Sequence, residues 1–319
     1  MMVWLLTGLG LVILLLAGDA LVKGAVNLSL RIGIPALIVS LTIVAFGTSA
    51  PELLIAISAL LEDAPGIALG NVVGSNTANI LMVLGMPALL ATLHTSECDS
   101  RKTYKQMLAA TVLFIGLAFF GIFTWISALV LLAALAAMLF VAFQDAARHR
   151  REARAAVLEE ELEDLEGADP DMPWWKIGVF LVLGLVGLPL GADLLVDNAS
   201  QIARMYGVSD TVIGLTLVAL GTSLPELATT VMAALRRQAD VALGNVIGSN
   251  MFNLLAIIGV AGLIGPIPVD PVFLRFDLWV MLGASLLLWP FVFNKWNITR
   301  IWGAVLTALY ITYVILVIV

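Results

Sequence analysis

One cysteine, two histidines and a charged fraction of only 12% are what this 319-residue chain has to work with. Each scarcity excludes something. Cys98 alone makes neither an internal disulfide nor a cysteine metal cluster. His94 and His149 leave little material for imidazole zinc or proton chemistry. The N-terminal MMVWLLTGLGLVILLL has no basic n-region and no small-residue cleavage site, so it reads as a retained helix. Apolar residues are abundant instead: 61% of the chain, with a mean hydropathy of +1.06. A soluble domain of this length cannot hide that much apolar surface. The chain is therefore predicted to be an all-α polytopic membrane protein.

A helix needs roughly 20 apolar residues to cross the hydrocarbon layer. Runs of that kind fall near 3–29, 34–61, 66–92, 106–122, 124–144, 174–204, 208–235, 240–265, 274–294 and 299–319. The uncharged stretch 106–144 is too long for one helix and is split at a tight turn near Gly121. With ten spans, 14 of the 16 basic residues share one side, leaving only Arg204 and Arg275 on the other. The positive-inside rule then places both termini outside and the 145–173 loop in the cytoplasm. That loop is basic first and acidic second, supplies much of the net charge of −7, and reads as a solvated linker without EF-hand spacing.

The two halves repeat each other. FGTSAPE at 46–52 returns as LGTSLPE at 220–226, and GNVVGSNTANILMVLG at 70–85 returns as GNVIGSNMFNLLAIIG at 244–259, both 174 residues on. Five spans per half is odd, so the second copy enters the membrane in the opposite direction. The expected architecture is two inverted five-helix repeats with discontinuous core helices. The first spans 1–144 (motifs 40–85), the second 174–319 (motifs 214–259), and 145–173 links them.

Each copy places a carboxylate, Glu52 or Glu226, in an apolar stretch where a charge is expensive. Thr48 and Glu52 are i and i+4, so their oxygens share a helix face, and Ser49 reaches an adjacent direction. Pro51 has no amide hydrogen, so it frees the Gly47 carbonyl and predicts a break. Thr222, Ser223, Pro225 and Glu226 repeat the set. On the following helices Ser75 and Asn79, and Ser249 and Asn253, are again i and i+4. Gly70, Gly74, Gly244 and Gly248 permit close approach. Asn71, Asn76, Asn245 and Asn250 are read as holding helices together. Asp19 and Asp193 are also repeat-equivalent, and a structural or gating role is expected for them. The donors are carboxylate, hydroxyl, amide and carbonyl oxygens, which suit a hard cation. Two ionised glutamates balance one Ca²⁺; they can also hold Na⁺ or protons.

At these residues the chain resembles the sodium/calcium exchanger family of the cation/calcium antiporter superfamily, in its prokaryotic form. GTSxPE and GNxxGSNxxN are similar to that family's two α-repeats. The resemblance implies that Glu52 and Glu226 hold calcium. It further implies that Thr48, Ser49, Thr222 and Ser223, with the Ala45 and Ala219 carbonyls, complete the calcium and sodium sites, and that Ser75, Asn79, Ser249 and Asn253 fill the remaining positions. Some members carry aspartate where this chain has Asn79 or Asn253, which weakens any case for potassium co-transport. The implied activity is electrogenic, alternating-access exchange of Na⁺ for Ca²⁺, three for one, with the first and sixth spans sliding over a fixed core. The chain is expected to be no enzyme and to have no resident cofactor. Its expected partners are the two ions and membrane lipid, without nucleic acid or an obligate protein. Its expected place is a bacterial or archaeal plasma (inner) membrane. Three alternatives use the same acids: a proton-driven calcium exchanger, a passive cation channel, and an intramembrane hydrolase, which lacks a substrate domain.

Overall fold

The structure, a computed structural model, describes residues 2–155, 169, 171–207 and 219–318. Eleven helices organise it: α1 (Met2–Ile32), α2 (Ala36–Thr48), α3 (Ala50–Leu61), α4 (Pro65–Leu90), α5 (Arg101–Ala118), α6 (Trp125–Ala155), α7 (Trp174–Met205), α8 (Leu224–Leu235), α9 (Ala239–Ile264), α10 (Phe273–Phe293) and α11 (Arg300–Ile318). Among the described residues seven helices are long and apolar enough to cross a membrane, and α2 with α3, bent by 41°, make an eighth. The protein is thus an all-helical integral membrane protein. Helix α5 begins at Arg101, earlier than its apolar run, and α8 has only 12 residues. The predicted span 208–235 lies partly outside the described residues, as does most of the 145–173 linker. At the linker's far end, the Asp169 amide donates to Asn27 Oδ1 at 2.8 Å.

The long apolar run at 106–144 does divide. Helix α5 stops at Ala118, Gly121 turns with φ of +79°, and α6 starts at Trp125. A left-handed residue there favours glycine, because no Cβ collides with the backbone. The left-handed positions recur at the repeat offset: Gly33 with Gly207, Asp63 with Arg237, and Gly121 with Lys295, each 174 apart. The backbone therefore turns in the same places in both halves, even where the second residue carries a side chain.

Helices α1 and α7 pack antiparallel along their length, with small residues at the crossing. A Cβ on Gly10 would lie 2.7 Å from the Leu195 amide, and one on Gly184 2.8 Å from the Leu21 Cα. Those are equivalent contacts, since 10 and 21 become 184 and 195 on adding 174. Small residues let backbones approach where lipid offers no hydrophobic drive between helices.

The site helices occupy the middle. In α4 and α9, 78% of the apolar window is buried, against 11% for α11. Gly244 and Gly248 bring α9 onto α2: a Cβ would meet the Leu37 carbonyl at 2.7 Å and the Leu41 carbonyl at 2.5 Å. Ser40 Oγ, in a π-helical turn of α2 (Ser40–Val44), donates to the Val241 carbonyl at 2.7 Å. For Gly70 and Gly74 the equivalent partners, 211 and 215, lie outside the described residues. Two short pairings tie the loops. Strand β1 (Ile122–Phe123) joins β2 (Ile267–Pro268) at one end of the bundle, and Leu93 bridges Ile298 at the other.

Candidate cation site

The site grows from two matching breaks. Helix α2 ends at Thr48, Ser49 steps out with φ −86° and ψ 5°, and Pro51 opens α3. In the second half Ser223 takes φ −88° and ψ 2°, and Pro225 opens α8. Proline suits the first turn of a helix, where its missing N–H has no intrahelical acceptor to lose. The break therefore falls on the serine, two residues past the glycine that the missing amide implicates. Each glutamate lands in the first turn of the new helix, where unpaired backbone N–H groups favour negative charge.

Glu52 and Glu226 are 1% and 0% exposed. Leaving one buried carboxylate without a countercharge carries a penalty of several kcal/mol. The hydroxyls predicted to help are also buried, and several converge on Glu226. Ser49 Oγ donates to Glu226 Oε1 at 3.3 Å, and Ser249 Oγ to the same oxygen at 3.4 Å. Thr48 Oγ1 lies 3.4 Å from Ser249 Oγ and donates to Asn245 Oδ1 at 3.3 Å. It also lies 3.3 Å from the Ala45 carbonyl, which accepts the Ser49 amide at 3.0 Å. Residues of both halves thus meet at one carboxylate.

Other polar atoms around the site, from both repeats, are left unpaired. Glu52 Oε2, Ser223 Oγ, Glu226 Oε2, Asn79 Oδ1 and both polar atoms of the Asn253 side chain are buried without a hydrogen-bond partner. The Ser223 amide bonds Leu220 three residues back, so the Ala219 carbonyl lacks the amide contact that Ala45 receives. Buried polar groups are nearly always satisfied, and five of these six orphans are oxygens. That donor set fits a hard cation: carboxylate, hydroxyl and amide oxygen, with no sulfur or imidazole. No group of three or more His, Cys, Asp or Glu suited to a metal occurs among the described residues. Ser75 is buried one turn before Asn79 on α4, and Thr222 lines a cavity beside the site.

Of the four asparagines read as helix ties, Asn245 and Asn250 tie helices through their side chains, whereas Asn76 Nδ2 turns back to the Val72 carbonyl of its own helix at 2.7 Å and Asn71 Nδ2 is buried without a partner. Asn79 Nδ2 donates to Asn250 Oδ1 at 3.1 Å, and Asn250 Nδ2 to the Asn76 carbonyl at 3.3 Å, joining α4 to α9. Asn245 does more than that. Besides accepting from Thr48, its Nδ2 lies 3.3 Å from Thr230 Oγ1 and 3.4 Å from the Glu226 carbonyl. It holds the walls of the site from behind. Its position three residues before the GSN triplet is the only sequence signal for that role.

A cavity adjoins the site where α7 faces α3. Its volume is about 380 Å³, and it is lined by Pro51 and Ile55 of α3, by Ala192, Asp193 and Val196 of α7, and by Thr222. Where α1 meets α8, the equivalent place, the helices are in contact: a Cβ on Gly18 would lie 3.0 Å from the Ala228 carbonyl.

Buried acids, hydroxyls and amides among helical spans are a donor set suited to hard cations within a membrane protein. A family model described as sodium/calcium exchanger protein matches residues 2–144 and 176–319, and the chain belongs to that family. It is 34% identical to the sodium/calcium exchanger MaX1 of Methanosarcina acetivorans, over 96% of each chain. It is 32% identical to the inner membrane protein YrbG of Escherichia coli, over 87% of this chain and 85% of that one. A solved structure of the sodium-calcium exchanger NCX_Mj, soaked with Na⁺ and Sr²⁺, superposes with a TM-score of 0.82 at 31% identity, covering 98% of both chains. The family is one of ion exchangers, which are transporters and not enzymes.

Proposed function

We propose that this protein is a secondary antiporter that exchanges Na⁺ for Ca²⁺ by alternating access, moving net charge in each cycle. The observation that carries the reading is the pairing across halves: Ser49 of one motif bonds Glu226 of the other, while Glu52 and Ser223 keep unpaired oxygens in the same buried site. Two carboxylates match one divalent cation in charge, and their emptying creates places for monovalent ions on the same oxygens. Mutually exclusive occupancy is the physical basis of exchange.

Ten crossings in two inverted repeats are part of this reading. The antiparallel α1 and α7, the recurrence of left-handed residues and the loop pairings at both ends support it. Under that topology the termini lie outside and the 145–173 linker inside. The cavity then faces out, and the α1–α8 contact closes the inner face. In alternating access α1 and α7 move over the other helices until the closed face changes. Similarity to the sodium/calcium exchangers MaX1 and NCX_Mj supports sodium as the driving ion.

The test is ⁴⁵Ca²⁺ uptake in proteoliposomes with sodium and pH gradients imposed separately. Uptake driven by an outward Na⁺ gradient and saturating with Ca²⁺ is expected. Uptake that follows ΔpH and ignores sodium would replace the reading with proton-driven exchange, and non-saturating flux without counter-transport would replace it with a channel.

A further inference from the structure

The closed α1–α8 contact carries an ion pair that its repeat counterpart cannot form. Asp19 of α1 receives Lys23 Nζ at 3.0 Å one turn along the helix, and Arg236 Nε from the end of α8. Both Asp19 and Arg236 side chains are 19% exposed, so the pair is screened far less than a surface bridge. Asp19 follows Gly18, where a Cβ would lie 3.0 Å from the Ala228 carbonyl oxygen. Helix α8 also carries Glu226 in its first turn, so one rigid segment of about 15 Å joins the cation site to this contact.

Adding 174 to Asp19 and Lys23 gives Asp193 and Asp197; subtracting 174 from Arg236 and Arg237 gives Glu62 and Asp63. Every base of the closed contact is therefore an acid at the open one. Asp193 and Asp197 line the cavity between α7 and α3, and Glu62 and Asp63 follow the end of α3. Closing α1 on α8 brings opposite charges together. Closing α7 on α3 in the same way would bring these four carboxylates together, with Arg204 of α7 the one base among the described residues lining that cavity, so the α1–α8 arrangement of two bases on one acid is not reproduced there.

We propose that Asp19 and Arg236 form a latch that holds one face of the carrier shut and so sets which face is open at rest. The residues act on transport through helix position and do not touch the ion. This rests on the alternating-access part of the proposed function, but on neither the driving ion nor the membrane orientation. The latch biases an equilibrium between two packings, and its removal shifts population toward closure of the cavity.

The test reads that closure directly. In a Cys98→Ala background, Ile55→Cys places one thiol in the cavity wall. Its modification rate by a maleimide is measured in lipid nanodiscs, where both faces are accessible. Arg236→Gln and Asp19→Asn are each expected to slow labelling about threefold or more, and Arg236→Lys to restore most of the rate. Lys23→Gln, which leaves the Asp19–Arg236 pair in place, gives a smaller shift and serves if the stronger variants do not fold. Folding is checked by size-exclusion profile. Unchanged labelling in folded Arg236→Gln and Asp19→Asn, or in Lys23→Gln if those two do not fold, would overturn the latch. Equal slowing by Arg236→Lys and Arg236→Gln would also overturn it. Because labelling needs no calcium flux, failure of the exchanger reading appears in the flux assay and not here.

Discussion

Ser49 and Glu226 are 177 residues apart in the chain, yet the serine hydroxyl donates to the carboxylate at 3.3 Å. That contact makes the two motifs parts of one site. Glu226 Oε1 has two hydroxyl partners, while Glu226 Oε2 and Glu52 Oε2 have none.

Glu52→Gln and Glu226→Gln should each abolish calcium exchange. Neither should unfold the protein, since removing a buried charge relieves desolvation. The check is sodium-driven ⁴⁵Ca²⁺ uptake alongside Tm of the purified variants. A loss of activity without a fall in Tm is expected.

Ser49→Ala and Ser249→Ala each remove one hydroxyl from Glu226. A hydrogen bond to a charged group contributes roughly 1.5–3 kcal/mol at best, and these are long ones, so apparent calcium affinity should fall about tenfold. Because both serines share one oxygen, the double variant should lose less than the product of the two single losses. Titration of initial rate against Ca²⁺ measures this.

Much of the arrangement is legible in the sequence. The repeated TSxPE frame predicts a helix break with an acid just past it, and both halves break at the serine before the proline. The Gly121 turn follows from the length of an uncharged run. Asymmetry between the halves is not legible. A duplicated sequence predicts that Ser223 should bond Glu52 as Ser49 bonds Glu226, but Ser223 Oγ is unpaired. Arg236 escaped notice for a related reason. It reads as an ordinary base after an apolar helix until the fold brings Asp19 to it.

Gly248→Val should damage the fold and not merely the site. A Cβ there would meet the Leu41 carbonyl at 2.5 Å and the Ala45 Cβ at 2.6 Å. Overpacking of that kind costs about 1–3 kcal/mol. Gly116→Ala, on the exposed face of α5 with nothing within 4 Å, is the control and should not lower Tm, since alanine favours a helix interior over glycine. Thermal unfolding followed by size-exclusion compares the two.

Exchange of three Na⁺ for one Ca²⁺ moves one charge outward per Ca²⁺ taken into Na⁺-loaded vesicles. An inside-positive potential, set by valinomycin with K⁺ outside, should therefore accelerate uptake, by up to about 2.3 kcal/mol of driving force per 100 mV. Initial rates at imposed potentials check the sign.

The central claim is that the two halves together build a single calcium site from one glutamate each. Equilibrium ⁴⁵Ca²⁺ binding to purified protein tests it most directly, with Na⁺ added as competitor. The account predicts one Ca²⁺ per chain, displaced by Na⁺, and lost in either Glu52→Gln or Glu226→Gln. Two calcium ions per chain, or full binding retained by either variant, would contradict it.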